Sequence, residues 1–166
     1  MKNMDNQNNK KVYLAGGCFW GVEEYFRRMR GVIFTRVGYA NGNTADTSYR
    51  ELNRTGHAET VEVVYDPEIV SLRAILKAYF SIIDPTSINR QGADIGVQYR
   101  TGIYYLNNCD RDIIEQIMQE VQGRYLRPLA VECELLDNFI EAEDYHQRYL
   151  VKNPDGYCHI AIPPNI

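Results

Sequence analysis

The junction between a predicted strand and a predicted helix at residues 16–21 constrains the fold of this chain most. The strand candidate occupies residues 12–15. After the junction, apolar residues recur at the spacing of one buried helix face, at Val22, Tyr25, Phe26 and Met29. Cys18 stands at the start of this helix, where unpaired backbone N–H groups and the helix dipole favour a thiolate. Phe19 and Trp20 place an apolar wall beside the sulfur, which predicts chemistry on a small, partly apolar group.

Cys18 also has an ordinary interpretation, because cysteine is among the most frequently buried residue types and a buried thiol is usually inert. Gly17 and Gly21 flank the cysteine closely. Glycine lets a backbone or a ligand approach closely, which simple packing rarely requires. These glycines therefore favour a functional interpretation of the cysteine.

The composition is that of an ordinary globular protein, with 45% hydrophobic and 24% charged residues in a chain of 166. We expect a disordered polar tail over residues 1–10 and a single catalytic domain over residues 11–166. Acidic and basic residues are interspersed and the net charge is −4, which argues against nucleic-acid binding. No run has transmembrane length and no secretory h-region is found, so we expect a cytoplasmic protein without a membrane partner.

The four cysteines are predicted to be thiols rather than a disulfide framework, as is usual for a cytosolic chain of this size. There is no C-x-x-C pair and histidine is scarce, so a structural zinc site is not expected. Cys133 fits the apolar face of a strand, and Cys109 fits the surface. Cys158 lies in a turn-rich segment that could bring it to Cys18, or it could have no partner, because reach cannot be judged from sequence separation.

The predicted elements alternate between strands and helices. Strands are expected at residues 12–15, 32–39, 60–65, 103–106 and 131–135, and helices after residue 18 and at residues 71–83, 111–122 and 141–152. Residues 44–56 and 86–100 are predicted polar loops, and long loops are commonly functional. This order predicts an α+β fold: a ferredoxin-like two-layer sandwich with a βαββαβ core, an extra helix and an irregular C-terminal tail.

Several polar residues outside the junction could take part in chemistry. Glu59 stands at the entry of an alternating strand, where burial would raise its pKa and keep it protonated. Tyr49 and Tyr99 lie in the polar loops, and their hydroxyls could bind an oxygen atom. Each of these residues also fits an ordinary surface role. His57 or His146 could instead pair with Cys18 in a Cys/His hydrolase.

Eight short motifs occur in one order along the chain, and together they resemble the peptide methionine sulfoxide reductase A family. The similarity runs from about Val12 to His159. In order, the motifs are GGCFWG at 16–21, VGYANG at 37–42, YRE at 49–51, GHAE at 56–59, YDP at 65–67, QYR at 98–100, AEDYHQ at 142–147, and KNP with GYC at 152–158.

This resemblance implies roles for individual residues. Cys18 would be the nucleophile that becomes a sulfenic acid, and Cys158 would resolve it through a Cys18–Cys158 disulfide. Glu59 would be the acid, Tyr49 and Tyr99 would bind the sulfoxide oxygen, and Asp94 would also lie at the site. The S-methyl group would contact the side chains of Phe19 and Trp20.

The resemblance also implies the partners of the reaction. The substrate would be the S epimer of methionine sulfoxide, free or in oxidised proteins. No metal or cofactor would be needed, and an external dithiol such as thioredoxin would restore the thiols. A Cys/His hydrolase and a binding module that recognises oxidised peptides without turnover remain the competing classes.

Overall fold

The computed structural model describes residues 8–164, which form a mixed α+β fold around one curled sheet. The strands are β1 (Lys10–Gly16), β2 (Val32–Ala40), β3 (Ala58–Tyr65), β4 (Arg90–Gln91), β5 (Asp94–Ile95), β6 (Thr101–Tyr105), β7 (Glu132–Leu135) and β8 (Phe139–Glu141). The helices are α1 (Phe19–Arg27), α2 (Leu52–Thr55), α3 (Leu72–Ile82), α4 (Asn108–Gln122) and α5 (Tyr149–Lys152). Short 3₁₀ turns cover Tyr49–Glu51, Val97–Tyr99 and Asp144–His146.

Six strands form the main sheet in the order β7-β6-β1-β3-β2-β8, and β4 pairs only with β5. Strand β7 is parallel to β6, while the other neighbours in the main sheet are antiparallel. Because β1 and β2 run opposite to β3 and β6, the ends of the first pair meet the beginnings of the second pair at one edge. The register places Gly16 beside Thr101 and Tyr39 beside Glu59 at this edge.

Both faces of the central strands are covered. Val12 and Leu14 belong to the large core cluster under the helices, whereas Tyr13 and Ala15 belong to a smaller cluster on the opposite face. All eight residues of β3 are therefore buried. The predicted placement of Val61, Val63 and Tyr65 on one face is confirmed, since all three belong to the large cluster.

The helix boundaries follow recognisable capping signals. Ser71 caps α3, as predicted, because its side chain accepts a hydrogen bond from the backbone N–H of Ala74 at 3.0 Å. Asn107 caps α4 in the same way through the N–H of Asp110 at 2.9 Å. None of the helices within residues 8–164 combines the length and the apolar character that a membrane span requires.

Two predictions about secondary structure need correction. Residues 141–152 are not one helix: they contain the end of β8, a 3₁₀ turn and the short α5. Arg148 interrupts the segment with a φ of 50°, and its N–H donates to Glu23 at 2.7 Å. The two predicted polar loops also contain regular structure: residues 44–56 include a 3₁₀ turn and α2, and residues 86–100 include β4, β5 and a 3₁₀ turn. The predicted N-terminal tail lies mainly outside the described residues, and β1 already begins at Lys10.

Candidate active site

The candidate site lies at the sheet edge where β1 and β2 end and β3 and β6 begin. Here β1 turns into α1 through Gly17, whose φ is +87°. A Cβ atom on Gly17 would come within 2.7 Å of the Gln91 Cβ, so both the backbone conformation and the space require glycine. Gln91 is buried and is bound to the backbone of Asp84 through both ends of its amide, at 2.9 and 2.7 Å. The turn before Cys18 is thereby fixed against the 84–91 loop.

Cys18 is the residue immediately before α1, and only 7% of its surface is exposed. The backbone N–H of Trp20 faces the sulfur and lowers the pKa of the thiol, as expected at a helix N-terminus. Burial has the larger effect, and together with the charge of Glu59 it raises the pKa well above its ordinary value. The helix start therefore favours the thiolate, as predicted, but desolvation outweighs this effect and keeps the pKa of the thiol raised.

Glu59 is the first site residue of β3, and it is 2% exposed. Burial raises its pKa to about 8, and the charge of Asp94 adds to this effect. The backbone N–H of Phe19 donates to Oε1 at 3.1 Å and opposes the shift only in part. The predicted desolvation of this carboxyl is confirmed, and Glu59 is protonated at neutral pH.

Tyr49 and Tyr99 come from the two polar loops and meet above Glu59. Both side chains line the same cavity as Glu59. Burial and the charge of Glu59 raise the pKa of both phenols, so both are neutral donors at physiological pH. Two O–H groups and one carboxylic acid thus converge on the same side of the cavity.

The apolar side of the site is formed by the first turn of α1. Phe19 is fully buried and its ring lies 5.7 Å from the ring of Tyr39. The Trp20 ring stacks on Tyr149 at a centroid distance of 3.7 Å and an angle of 10°. Its indole N–H donates to Nδ1 of His146 at 3.0 Å. Stacking and the hydrogen bond together fix the orientation of the indole ring.

Asp94 lies on β5 and connects two other parts of the site. Its Oδ2 accepts a hydrogen bond from the Tyr157 hydroxyl at 2.9 Å. Burial, together with this bond, raises the pKa of Tyr157 to about 12. Tyr157 therefore belongs to the site as well, and it immediately precedes Cys158.

Cys158 is half-buried and lies beside α1, one helical turn beyond Cys18. Its thiol donates to the carbonyl of Ile160 at 3.2 Å. Cys158 is close enough to contribute to raising the pKa of Cys18. All four cysteines are free thiols in this structure. Cys109 is exposed, as predicted, and Cys133 is partly buried against the large core cluster.

One cavity of about 160 Å³ unites seven of the eight predicted site residues with two others, His146 and Tyr157. It is lined by Cys18, Phe19, Trp20, Tyr49, Glu59, Asp94, Tyr99, His146 and Tyr157. Cys158 is not in the lining and lies behind the first turn of α1. Sequence reasoning missed Tyr157 as a site residue. Its place beside Cys158 in a turn-rich tail was the available signal.

The two histidines considered for a hydrolase do not form a pair with Cys18. His57 Nδ1 lies 2.9 Å from the Thr55 hydroxyl, and the residue does not line the cavity. His146 lines the cavity, but its Nδ1 accepts the Trp20 N–H, and burial lowers its pKa. Within residues 8–164 neither imidazole hydrogen-bonds the Cys18 sulfur. The arrangement lacks the nucleophile–base contact of a Cys/His hydrolase.

A larger cavity of about 390 Å³ lies between α3 and α4. Its lining includes Lys77, Phe80, Glu120 and Arg124, and none of the predicted site residues. Size alone therefore does not identify the site. The smaller cavity holds the buried thiol, the protonated carboxyl and the phenols, and its volume suits a group of side-chain size.

Comparison with known proteins agrees with this site. A sequence model of the family described as peptide methionine sulfoxide reductase matches residues 10–166. The chain is 53% identical over 155 residues to the peptide methionine sulfoxide reductase MsrA of Lachnoclostridium phytofermentans, covering 92% of this chain and 93% of the relative.

Solved structures give the same result. The reduced form of Mxr1 from Saccharomyces cerevisiae superposes with a TM-score of 0.90 at 35% identity, covering 96% of this chain and 95% of Mxr1. Mxr1 in its complex with Trx2 matches with a TM-score of 0.65 at 28% identity, over 89% of this chain and 88% of the yeast chain. Since both the sequence and the fold match over almost the entire length, the chain belongs to the peptide methionine sulfoxide reductase A family.

Proposed function

We propose that this protein reduces the S epimer of methionine sulfoxide, free and in oxidised proteins, to methionine, with Cys18 as the nucleophile. The observation that carries the proposal is the single small cavity in which a thiol, a protonated carboxyl and an apolar wall face one another. A sulfoxide offers a matching set of groups: an electrophilic sulfur, a basic oxygen and a methyl group. No step requires a metal or an organic cofactor, because thiols carry the electrons.

The two sides of the cavity would orient the substrate. The methyl group would contact Phe19 and Trp20, whose ring is held by Tyr149 and His146. The oxygen would face Glu59 and the two phenols. A pocket with one apolar wall, one set of donors and one open direction for the peptide is chiral, so only one epimer places its sulfur in front of Cys18.

In the first step the Cys18 sulfur would attack the sulfoxide sulfur, and the oxygen would receive a proton from Glu59. The S–O bond of the sulfoxide then breaks, and the hydroxyl group passes to the Cys18 sulfur as the new S–S bond breaks. Two electrons thereby move from Cys18 to the substrate, so methionine is released and Cys18 becomes a sulfenic acid, while the proton of the Cys18 thiol restores Glu59. A positioned acid typically contributes ~10²–10⁴-fold to such a step. The Tyr49 and Tyr99 hydroxyls would stabilise the charge that builds on the oxygen.

The burial of Cys18 means that its thiolate must form during the reaction rather than at rest. The N–H of Trp20 would stabilise this thiolate. A protonated Glu59 carries no charge, so it does not repel the Cys18 thiolate as an ionised Glu59 would. The proton on Glu59 therefore has two effects. While bound, it makes ionisation of Cys18 easier, and during the reaction it is transferred to the sulfoxide oxygen.

Recycling would use Cys158 and an external dithiol. The sulfenic acid would condense with the Cys158 thiol, releasing water and forming a Cys18–Cys158 disulfide. A dithiol protein of the thioredoxin type would then reduce this disulfide. The complex of the relative Mxr1 with Trx2 supports such a partner. Four free thiols also fit a reducing compartment, and we propose the cytoplasm.

We also propose that residues 11–166 form a single catalytic domain with a ferredoxin-like core. The support is the order of the four central strands, β6-β1-β3-β2, in which each neighbour is antiparallel. The first two βαβ units of the chain supply these strands. Strands β7 and β8 extend the sheet at its two edges.

The proposal is tested with racemic methionine sulfoxide and dithiothreitol, followed by chromatographic separation of the epimers. We expect loss of the S epimer only, and loss of all activity in Cys18→Ser, because serine lacks the redox chemistry of the thiol. Consumption of both epimers, or activity in Cys18→Ser, would overturn the assignment. Acyl cleavage without sulfoxide loss would indicate a hydrolase, and saturable binding without product would indicate a binding module.

A further inference from the structure

Gly21, the last residue of the GGCFWG motif, lies directly against the Cys158 thiol. Gly21 is buried in α1, three residues after Cys18. A Cβ atom at this position would come within 2.9 Å of Cys158 Sγ and 3.4 Å of Ile160 Cδ1. The first distance is shorter than van der Waals contact permits. The missing side chain of Gly21 therefore provides the space that the thiol occupies.

The backbone of Gly21 gives no other reason for glycine. The residue lies within α1 and its φ is not positive, so alanine could adopt the same conformation. Glycine is less favourable than alanine in a helix interior. A glycine that weakens the helix and is not needed for its conformation is explained here by the sulfur packed against it.

The two neighbours of Cys158 are each anchored to the active-site edge. Before it, the Tyr157 hydroxyl donates to Asp94 at 2.9 Å. After it, His159 Nε2 lies 3.0 Å from the carbonyl oxygen of Gly16, at the turn that leads to Cys18. Burial lowers the pKa of His159, which fits a neutral ring that donates to this carbonyl. Cys158 is thus held from both sides while its thiol lies on Gly21.

We propose that Gly21 and His159 are positioning residues that hold the reduced Cys158 thiol one helical turn from Cys18, ready to resolve the sulfenic acid. This inference rests on the proposed function, because it presumes that Cys18 is oxidised and that Cys158 resolves it. In the resolving step the Cys158 sulfur bonds to the Cys18 sulfur and the S–O bond of the sulfenic acid breaks. The hydroxide leaves with the proton of the Cys158 thiol as water.

The geometry makes Gly21→Ala a selective test. The new methyl group would displace the end of a short side chain on the C-terminal segment rather than backbone or a core ring. Alanine is also compatible with the helix. The substitution should therefore leave the fold and the Cys18 reaction intact while moving the Cys158 thiol. Gly123→Ala is the matched control, since a Cβ there has no neighbour closer than 3.4 Å.

The experiment is a single turnover with methionine sulfoxide and no reductant, quenched at successive times. Methionine formation reports the first step, and dimedone trapping of sulfenic acid together with the free-thiol count reports the second. In Gly21→Ala we expect methionine to form at the wild-type rate, trapped sulfenic acid to accumulate, and disulfide formation to slow on the order of tenfold or more. Gly123→Ala should match the wild type in both steps.

Disulfide formation at the wild-type rate in Gly21→Ala would overturn the proposal. If Gly21→Ala does not fold or forms no methionine, His159→Phe decides, since it removes the contact with Gly16 but leaves α1 unchanged. Slow disulfide formation with normal methionine formation supports the proposal, and an unchanged rate overturns it. Cys158→Ser distinguishes a failure of the proposed recycling from a failure of the proposed positioning. If a disulfide still forms in this variant, Cys158 is not the resolving thiol and the recycling proposal has failed.

Discussion

At the scale of single residues, burial decides the charge of the site, as Cys18 and Glu59 show. The start of a helix stabilises an anion by about 0.3–2 kcal/mol. Cys18 is 7% exposed, and the cost of desolvating its thiolate exceeds that benefit. Glu59 is 2% exposed and keeps its proton for the same reason. The resting site is therefore neutral at both reacting groups.

The raised pKa of Glu59 predicts how protein stability depends on pH. The folded state holds this proton up to about pH 8, whereas the unfolded state releases it near the ordinary value of 4.5. Between these values the folded state binds more protons, so its stability falls as pH rises, by up to about 1.4 kcal/mol per pH unit. Glu59→Gln removes this loss. We expect the variant to gain in free energy of unfolding relative to the wild type between pH 5 and pH 8, measured by urea denaturation.

A matched substitution isolates the effect of burial. Glu68→Gln also removes one carboxyl, but at an exposed position on the connection between β3 and α3. It should leave the pH dependence of unfolding as it is in the wild type. Parallel curves for the wild type and Glu59→Gln over the same pH range would show that Glu59 ionises normally in the folded protein.

At the scale of secondary-structure elements, the sequence predicts those whose periodicity is long and regular. The β1, β2, β3 and β6 strands and the α1, α3 and α4 helices lie close to their predicted positions. The segment 141–152 was mispredicted because tertiary contacts override its helical pattern. The Gln147 amide bonds the N–H and carbonyl of Val37 at 3.0 and 2.9 Å, which ties this segment to β2 instead.

Arg100 joins the elements that carry the oxygen-facing side of the site. Its guanidinium donates to Glu132 at 2.6 Å and to the carbonyls of Gly56, Val97 and Asn41 at 2.8, 3.0 and 3.1 Å. These contacts link the end of β2, the start of β3, the turn carrying Tyr99, and β7. No sequence period indicates such a contact set, because three of its four partners are backbone carbonyls and two of these are distant in the chain.

We therefore predict that Arg100→Met destabilises the protein by about 3 kcal/mol, because it leaves partly buried acceptors without their donor. Arg100→Lys should lose less, since it keeps the charge but not the planar fork. Arg111→Met is the control, because its pair with Glu115 is half-exposed on α4 and exposed pairs contribute little to stability. Urea denaturation measures all three, and equal losses for Arg100→Met and Arg111→Met would refute the prediction.

At the scale of the whole molecule, the fold brings together residues that are far apart in the chain. Cys18 and Cys158 are separated by most of the sequence, yet both lie beside the first turn of α1. The motifs of the sequence identified the members of the site, and antiparallel pairing at one sheet edge explains why they meet. The position of Cys158 against Gly21 could not be predicted, because it depends on how the irregular tail packs across the helix.

The same arrangement predicts which thiols are consumed in one turnover. After exposure to methionine sulfoxide without reductant, the wild-type protein should lose two of its four free thiols, since Cys18 and Cys158 form a disulfide. Cys158→Ser should lose only one, because the Cys18 sulfenic acid has no resolving thiol beside it. Cys109→Ser should still lose two, since Cys109 is exposed on α4 and does not line the cavity. Alkylation of the remaining thiols under denaturing conditions, counted by intact mass, distinguishes these outcomes. A loss of two in Cys158→Ser and of one in Cys109→Ser would assign the resolving role to Cys109.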